Sequence, residues 1–389
     1  MSALGGCGGE GRRLVGKRCV VTGEVLDTAG GSEAHIIPNA LGGRLAPKWL
    51  LTREANNLLN ERVDLPFVQA LSPLASLLNV KRQRGSNPPA VLVRKSGERV
   101  MRSPDGKLTV LAPTYKVERE GDRVKLYLRA STRKQIQHLL ARARSEFPKL
   151  CDTDLSATVE PVEERLNDAH FTVGLGPNPW FRWAYVAAHL LAAHVIGRVG
   201  EGFARQMSAL IASEDHIPEG VFYWSADEAW VATDRDTHHL AGLLPSEPGG
   251  ECLAVLEVFG LPAVAVRISG CTLTLPWFHA VDPIAGSVFV PDIRRGTMLS
   301  LPREATHAWD GDALVSVLRS RMARLGAAIT RLNRIAFADR VIREVLGRRS
   351  EGDLITEDDI WEIAARVAEA LVLSGQIRSS RPSADEPVP

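Results

Sequence analysis

The stretch Ser32-Glu33-Ala34-His35-Ile36-Ile37-Pro38-Asn39-Ala40-Leu41-Gly42-Gly43, followed by Leu50-Leu51-Thr52-Arg53-Glu54-Ala55-Asn56-Asn57, decides how this 389-residue chain is read. His35-Ile36-Ile37 reads as a short strand, stopped by Pro38, which has no N–H to give to a ladder. Gly42-Gly43 supplies a turn, and Trp49-Leu50-Leu51 is a brief extended piece. Thr52 is placed to cap a helix, with Glu54 favourable beside the partial positive charge of its first turn. The helix is predicted to run to about Val63, with Asn56, Asn60 and Val63 on one face and Leu58 and Leu59 turned toward a core.

Working outward, Arg18–Gly23 reads as a short β-branched strand ending in a turn, and residues 28–32 as a loop. Phe67–Leu78 is predicted as a second helix, and Lys81-Arg82-Gln83-Arg84-Gly85-Ser86-Asn87-Pro88-Pro89 as a flexible basic turn. Ala90–Val93, Leu108–Ala112 and Val124–Leu128 alternate like a small antiparallel sheet, and an Arg- and Lys-rich amphipathic helix follows over Thr132–Phe147. Trp180–Ile196 is a long apolar helix with Gly197 as its C-cap. On it His189 and His194 stand i, i+5 apart, off a common face, and are read as core or interface residues. Tyr223–Val231, Leu253–Phe259 and Ala263–Ile268 read as strands, with Thr272–Leu275 after a glycine turn. His238-His239 is read as a strand-edge pair, because no Cys, Asp or Glu neighbour has metal-ligand spacing. Helices return over Asp312–Val345 and Glu357–Leu373.

The fold class is therefore α+β. The expected divisions are a disordered 1–13, a histidine-bearing core with its basic loop over 14–95 and a β/helix connector over 96–160. An α+β module over 161–290, a helical region over 291–378 and a disordered tail over 379–389 complete the chain. The C-terminal helices suit packing against the module or against another copy of the chain.

Composition narrows the function classes. No run of 18 apolar residues spans a membrane, and the glycine-rich opening lacks the apolar stretch of a secretory signal. Five scattered cysteines (Cys7, Cys19, Cys151, Cys252, Cys271) point to reduced thiols in a cytoplasm rather than a disulfide framework. The net charge of +1 is unevenly spread: residues 1–95 hold 13 Lys or Arg against 7 Asp or Glu, a local +6. A phosphate-backbone partner suits that basic end.

In its order of residues, Glu33, His35-Ile36-Ile37-Pro38, Leu41-Gly42-Gly43, Asn56 and Val63-Asp64, the segment Cys19–Asp64 resembles the ββα-metal core of the HNH endonucleases. It is most similar to a branch that carries two C-x-x-C pairs around the same core. The order of a helix and then strands across His238–Val266 is weakly similar to the region that follows the core in longer members. The resemblance implies a metal-dependent endonuclease that hydrolyses the phosphodiester bonds of nucleic acid, double-stranded DNA foremost. His35 would be the general base, a role its chemistry suits near neutral pH. A divalent cation, Mg²⁺ or Mn²⁺, would stabilise the leaving oxygen. Asn56 would either ligate that cation or hold the histidine, with Asn57 as the one-residue-shifted alternative and Glu33 as a further candidate ligand. Arg44, Lys48, Arg53, Lys81, Arg82 and Arg84 are the candidate phosphate contacts.

Two departures bear on activity. The cysteine pairs read Cys19…Thr22 and Thr52…Ala55, so one thiol remains of four and no structural zinc is expected. The acidic residue that usually precedes the histidine is Ala34, and alternation along a strand turns Glu33 to the face opposite Ala34. The alternative is a degenerate core that binds nucleic acid without cutting it.

Overall fold

The computed structural model describes residues 18–26, 31–95, 97–103, 108–121, 123–148, 169–174, 176–224, 231–232, 235, 237–245, 250–271, 273–293, 311–350 and 353–373. The segments read as disordered, 1–13 and 379–389, lie outside the described residues, as do Cys7 and Cys151. The chain is α+β and divides into two compact units, residues 1–325 and 326–389. No helix among the described residues is long and apolar enough to cross a membrane.

The first unit begins with β1 (Gly31–Ser32) paired antiparallel to β2 (Leu51–Thr52), and β2 leads into α1 (Arg53–Leu59), capped by the Thr52 hydroxyl. Two expected strands are corrected here. Arg18–Gly23 is a turn, closed by Gly23 N–H to the Cys19 carbonyl at 2.8 Å, with a single bridge from Arg18 to Val25. Gly23 at φ +73° reverses the chain too soon for Val20 and Val21 to extend. His35–Ile37 forms no ladder either: the paired residues lie upstream, and Pro38 opens a 3-10 turn over Asn39–Leu41.

The helix expected to end near Val63 does not end. It passes through a π turn (Asn60–Asp64) directly into α2 (Leu65–Leu77). Pro66 is the cause. It has no N–H for the Arg62 carbonyl four residues back, and its ring crowds that carbonyl, so the helix widens instead of closing an ordinary turn. Asn60 keeps right-handed helical geometry at φ −58° through this turn.

Next come β3 (Ala90–Arg94), β4 (Arg99–Arg102), β5 (Leu108–Val110), β6 (Thr114–Glu120), β7 (Arg123–Arg129), α3 (Arg133–Glu146) and β8 (Ala169–His170). The sequence reading merged two structures here. One sheet has the order β5-β4-β3-β8, while β6 and β7 form a separate hairpin. Then follow α4 (Pro177–Ile196), α5 (Phe203–Ala212), β9 (Val221–Trp224), β10 (Val231–Ala232), β11 (His239–Pro245), β12 (Glu251–Glu257), β13 (Ala263–Ser269), β14 (Trp277–Asp282), β15 (Ser287–Phe289) and β16 (Asp292–Ile293). Six of these strands make an antiparallel sheet of order β15-β14-β11-β12-β13-β9. His238 and His239 are thus not an edge pair: β11 is an inner strand, and both histidines are buried. Of the strand expected over Thr272–Leu275, residue 272 lies outside the described residues and 273–275 is not extended into a ladder; Leu275 is exposed and the strand starts at Trp277, past Pro276. Of Tyr223–Val231, residues 225–230 lie outside the described residues.

α4 packs on the six-stranded sheet with one side and on the π turn and α2 with the other. That position explains its apolar character all round. Phe67 of α2 stacks on Trp183 at 4.0 Å between ring centres and meets Trp180 edge-on. Gly197 ends the helix in the left-handed region, as its sequence position predicts. In the second unit, the end of α6 (Gly311–Leu346) is clasped to α7 (Glu357–Leu373) by Arg366–Glu344 at 2.7 Å. Thr356 and Asp359 cap α7 reciprocally.

Two buried histidines give the first unit a pH dependence. His239 donates Nε2–H to the Leu41 carbonyl at 2.7 Å and accepts the Phe259 N–H on Nδ1 at 3.0 Å. His189 bonds the Tyr185 carbonyl and lies between Tyr185 and Phe203. Burial pushes each down to about 4. The unfolded chain takes up protons on these rings below about pH 6.5 while the folded one does not, so stability is full above that pH and falls as pH drops toward 4. Each ring should cost about 2 kcal/mol of unfolding free energy between pH 7.5 and pH 5. Urea unfolding at the two pH values checks this, and His239→Gln should reduce the difference.

Candidate functional site

Backbone bonds from Ala34 N–H to the Pro47 carbonyl (3.1 Å) and from Ile36 N–H to the Leu45 carbonyl (3.0 Å) extend the β1–β2 pairing into an irregular hairpin. Period-two alternation holds along it. Ala34 and Ile36 are buried, while Glu33 and His35 are half-exposed. The position where the resemblance expects an acid therefore faces the core. Glu33 is the carboxylate on the histidine's own side, and the structure places it, rather than residue 34, beside His35.

The turn of this hairpin needs its glycines. Gly42 sits at φ +96°, and a Cβ there would come within 2.6 Å of Val80; a Cβ on Gly43 would run into the Ile37 carbonyl oxygen. Their bareness lets the segment after α2 lie against the hairpin, and that segment supplies the rest of the site. The Arg44 guanidinium donates to the Lys81 carbonyl at 2.8 Å. Asn39 accepts the Gln83 N–H on Oδ1 at 2.8 Å and donates Nδ2–H to the Arg84 carbonyl at 3.3 Å. His35 Nε2 meets Gln83 Oε1 at 3.0 Å. Arg84 pairs with Glu33 at 2.8 Å, and Lys48 takes the other Glu33 oxygen at 3.2 Å. Lys81 N–H further bonds the Pro283 carbonyl. The first half of the loop read from sequence as a flexible basic turn is thus tied down at Lys81, Gln83 and Arg84, because their backbone polar groups find partners in Arg44, Asn39 and Pro283.

α1 braces the same strand. Asn56 Nδ2–H groups donate to Ser32 Oγ at 3.0 Å and to the Glu33 carbonyl at 3.3 Å. Asn57, one position on, is exposed and makes no side-chain hydrogen bond among the described residues. Of the two asparagines, Asn56 is the one that touches the His35-bearing strand.

The six candidate phosphate contacts separate into three kinds. Lys48 and Arg84 stand exposed at Glu33, and Lys81 and Arg53 are exposed elsewhere. Arg44 is spent on the loop backbone, and Arg82 donates Nε–H to Asn87 Oδ1 at 2.9 Å, with partial burial lowering its pKa. Gln83, Asn39 and Ser32 are site residues that the sequence reading did not single out.

The electrostatics follow from these pairs. The hydrogen bond from Lys48 and the charges of Arg84, Lys48 and His35 outweigh desolvation and hold Glu33 below the usual carboxylate range. Asp64, half-buried without a hydrogen-bond partner among the described residues, is pushed up to about 7 by burial. Cys19 is buried, which raises its thiol. Hydrogen bonds with Thr22 and with the backbones of Thr22, Thr52 and Val21 outweigh that, and its pKa is lowered. Cys19, Thr22 and Thr52, three of the four C-x-x-C positions, are therefore gathered at one point and joined by hydrogen bonds.

A resident divalent cation does not fit these side chains. A hard cation wants several oxygen ligands, anionic ones among them. Both Glu33 oxygens are taken by cations and Ala34 offers none, which leaves the neutral amide oxygen of Asn56 without an anionic companion. Among the described residues no group of three or more His, Cys, Asp or Glu is placed to hold a metal. What the site does offer is a half-exposed imidazole beside two cationic side chains held by one carboxylate. Comparison with family models, with curated proteins and with solved structures gives no match to the chain.

Removing the carboxylate should release the two cations. Glu33→Gln is expected to tighten binding to a double-stranded DNA oligonucleotide several-fold. The slope of log K against log salt should steepen by up to about two. Fluorescence anisotropy over a salt series checks it; unchanged affinity and slope would mean that Lys48 and Arg84 do not meet phosphate.

Proposed function

We propose that the first unit is an HNH-type phosphodiesterase acting on nucleic acid, with double-stranded DNA as the first substrate to test. One observation carries the reading: His35, the histidine of the resemblance, stands half-exposed between Gln83 and the Lys48–Glu33–Arg84 cluster, on a segment whose Ser32 and Glu33 are braced by Asn56. Hydrolysis of a phosphodiester needs a water relieved of its proton and positive charge on the crowded phosphate. His35 takes the proton. Lys48 and Arg84 bring the charge, turning from Glu33 to the phosphate oxygens as the strand binds, and Glu33 keeps them close until then. Asn56 and Ser32 hold the strand so that the imidazole meets the water at one fixed place. No step here runs through a protein-held cation; divalent ions enter the account only as companions of the substrate phosphates.

A second reading has its own support. With Glu33 neutralised by two cations and Ala34 in the core, the site offers exposed Lys48 and Arg84 to phosphate without a metal site, which suits binding without cutting. The two readings part on one assay. Supercoiled plasmid is incubated with the full chain with Mg²⁺, with Mn²⁺ and with chelator. Nicking that falls by at least about a hundredfold in His35→Ala, with DNA affinity kept, is the expected result. Equal nicking by the folded variant would remove His35 from the chemistry. Binding without nicking under all three conditions would establish the second reading.

A further inference from the structure

We infer that Gln83 is a positioning residue that sets the tautomer of His35, leaving Nδ1 as the nitrogen that takes the proton; this rests on the phosphodiesterase reading above. The geometry is specific. Gln83 presents its carbonyl oxygen, an acceptor only, at 3.0 Å from His35 Nε2, so Nε2 carries the hydrogen. Nδ1 then holds the lone pair, and among the described residues no hydrogen bond claims it. A neutral imidazole carries its hydrogen on one nitrogen only, and the partner of one nitrogen fixes the role of the other.

An exposed glutamine could do this only if its own backbone were held. It is. Asn39 grips the peptide on both sides of the Gln83 side chain, through the Gln83 N–H and the Arg84 carbonyl. Arg44 holds the Lys81 carbonyl two residues earlier, and Arg84 is anchored to Glu33 one residue later. The amide therefore reaches His35 from a fixed stem. A tenfold bias between tautomers needs about 1.4 kcal/mol, which is what one net protein hydrogen bond contributes. Asn39 follows Pro38 directly, so the grip on Gln83 is built into the same turn that ends the His35 segment.

The test uses the ¹⁵N-labelled full chain, and reads the His35 ring by long-range ¹⁵N–¹H correlation at alkaline pH together with single-turnover plasmid nicking. Wild type should show Nε2 protonated. Gln83→Leu, which keeps an exposed side chain of similar size but no acceptor, should give mixed tautomers. It should also lose about tenfold in the rate of the chemical step with substrate affinity unchanged. Gln83→Glu, which keeps an acceptor oxygen, should restore the single tautomer. Asn39→Ala should mix the tautomers as Gln83→Leu does. A His35 spectrum identical in wild type and Gln83→Leu, or mixed tautomers persisting in Gln83→Glu, overturns the inference whether or not the protein cuts DNA. A tautomer that responds to Gln83 in a protein that never nicks upholds the positioning role and overturns the phosphodiesterase reading instead.

Discussion

The arrangement of the first unit depends on a guanidinium meeting a carbonyl that the helix cannot use. Pro66 deprives the Arg62 carbonyl of its helical partner, and Arg182 of α4, buried, donates to it at 3.3 Å. The same guanidinium donates to the Leu210, Ser213 and His216 carbonyls. One cation on α4 thereby satisfies the π turn, the end of α5 and the loop beyond it. The charge stays buried because it faces oxygens rather than hydrocarbon. Desolvation lowers its pKa without discharging it, a guanidinium being the cation best able to bear that.

From that joint the site follows. α1 and α2 run as one rod through the π turn, gripped there by Arg182 and along α2 by the stacked Phe67 and Trp183. The free end of the rod carries Asn56 to the His35 strand. The far end delivers the chain at Val80, which packs against the bare Gly42 and starts the docked loop. His239 closes the frame from the sheet side by holding the Leu41 carbonyl. His35 is thus served by two segments, α1 and the docked loop, both C-terminal to it and set apart by the length of α2.

What was legible in the sequence was local. The Thr52 cap, Gly197, the apolar α4 and the His–turn–helix order are all written within a few residues of where they act. Alternation was legible in principle: it puts Ala34 in the core and Glu33 with His35, the reverse of what a resemblance in residue 34 suggests. What stayed hidden depended on contacts across the chain. Gln83 lies 48 residues from His35, and nothing in a basic loop marks one glutamine as a partner. β11 was missed because its residues are buried on both faces, so the apolar–polar alternation that marks a strand is absent. The helix end expected near Val63 became a π turn, with a distant arginine bonding the carbonyl that Pro66 leaves without its helical partner. The second unit, by contrast, was legible almost to the residue, since capping and helical periodicity are local signals.

The central claim is that the loop after α2 is part of a preformed site and not a solvated turn that happens to be basic. The backbone amide of Gln83 tests it most directly, because its hydrogen goes to Asn39 Oδ1 at 2.8 Å and to nothing in a helix or strand. Native-state hydrogen exchange on the DNA-free full chain should show that amide slowed by at least about tenfold against the unstructured rate, with the protection lost in Asn39→Ala. Exchange of the Gln83 amide at the unstructured rate in the wild-type protein would contradict the account.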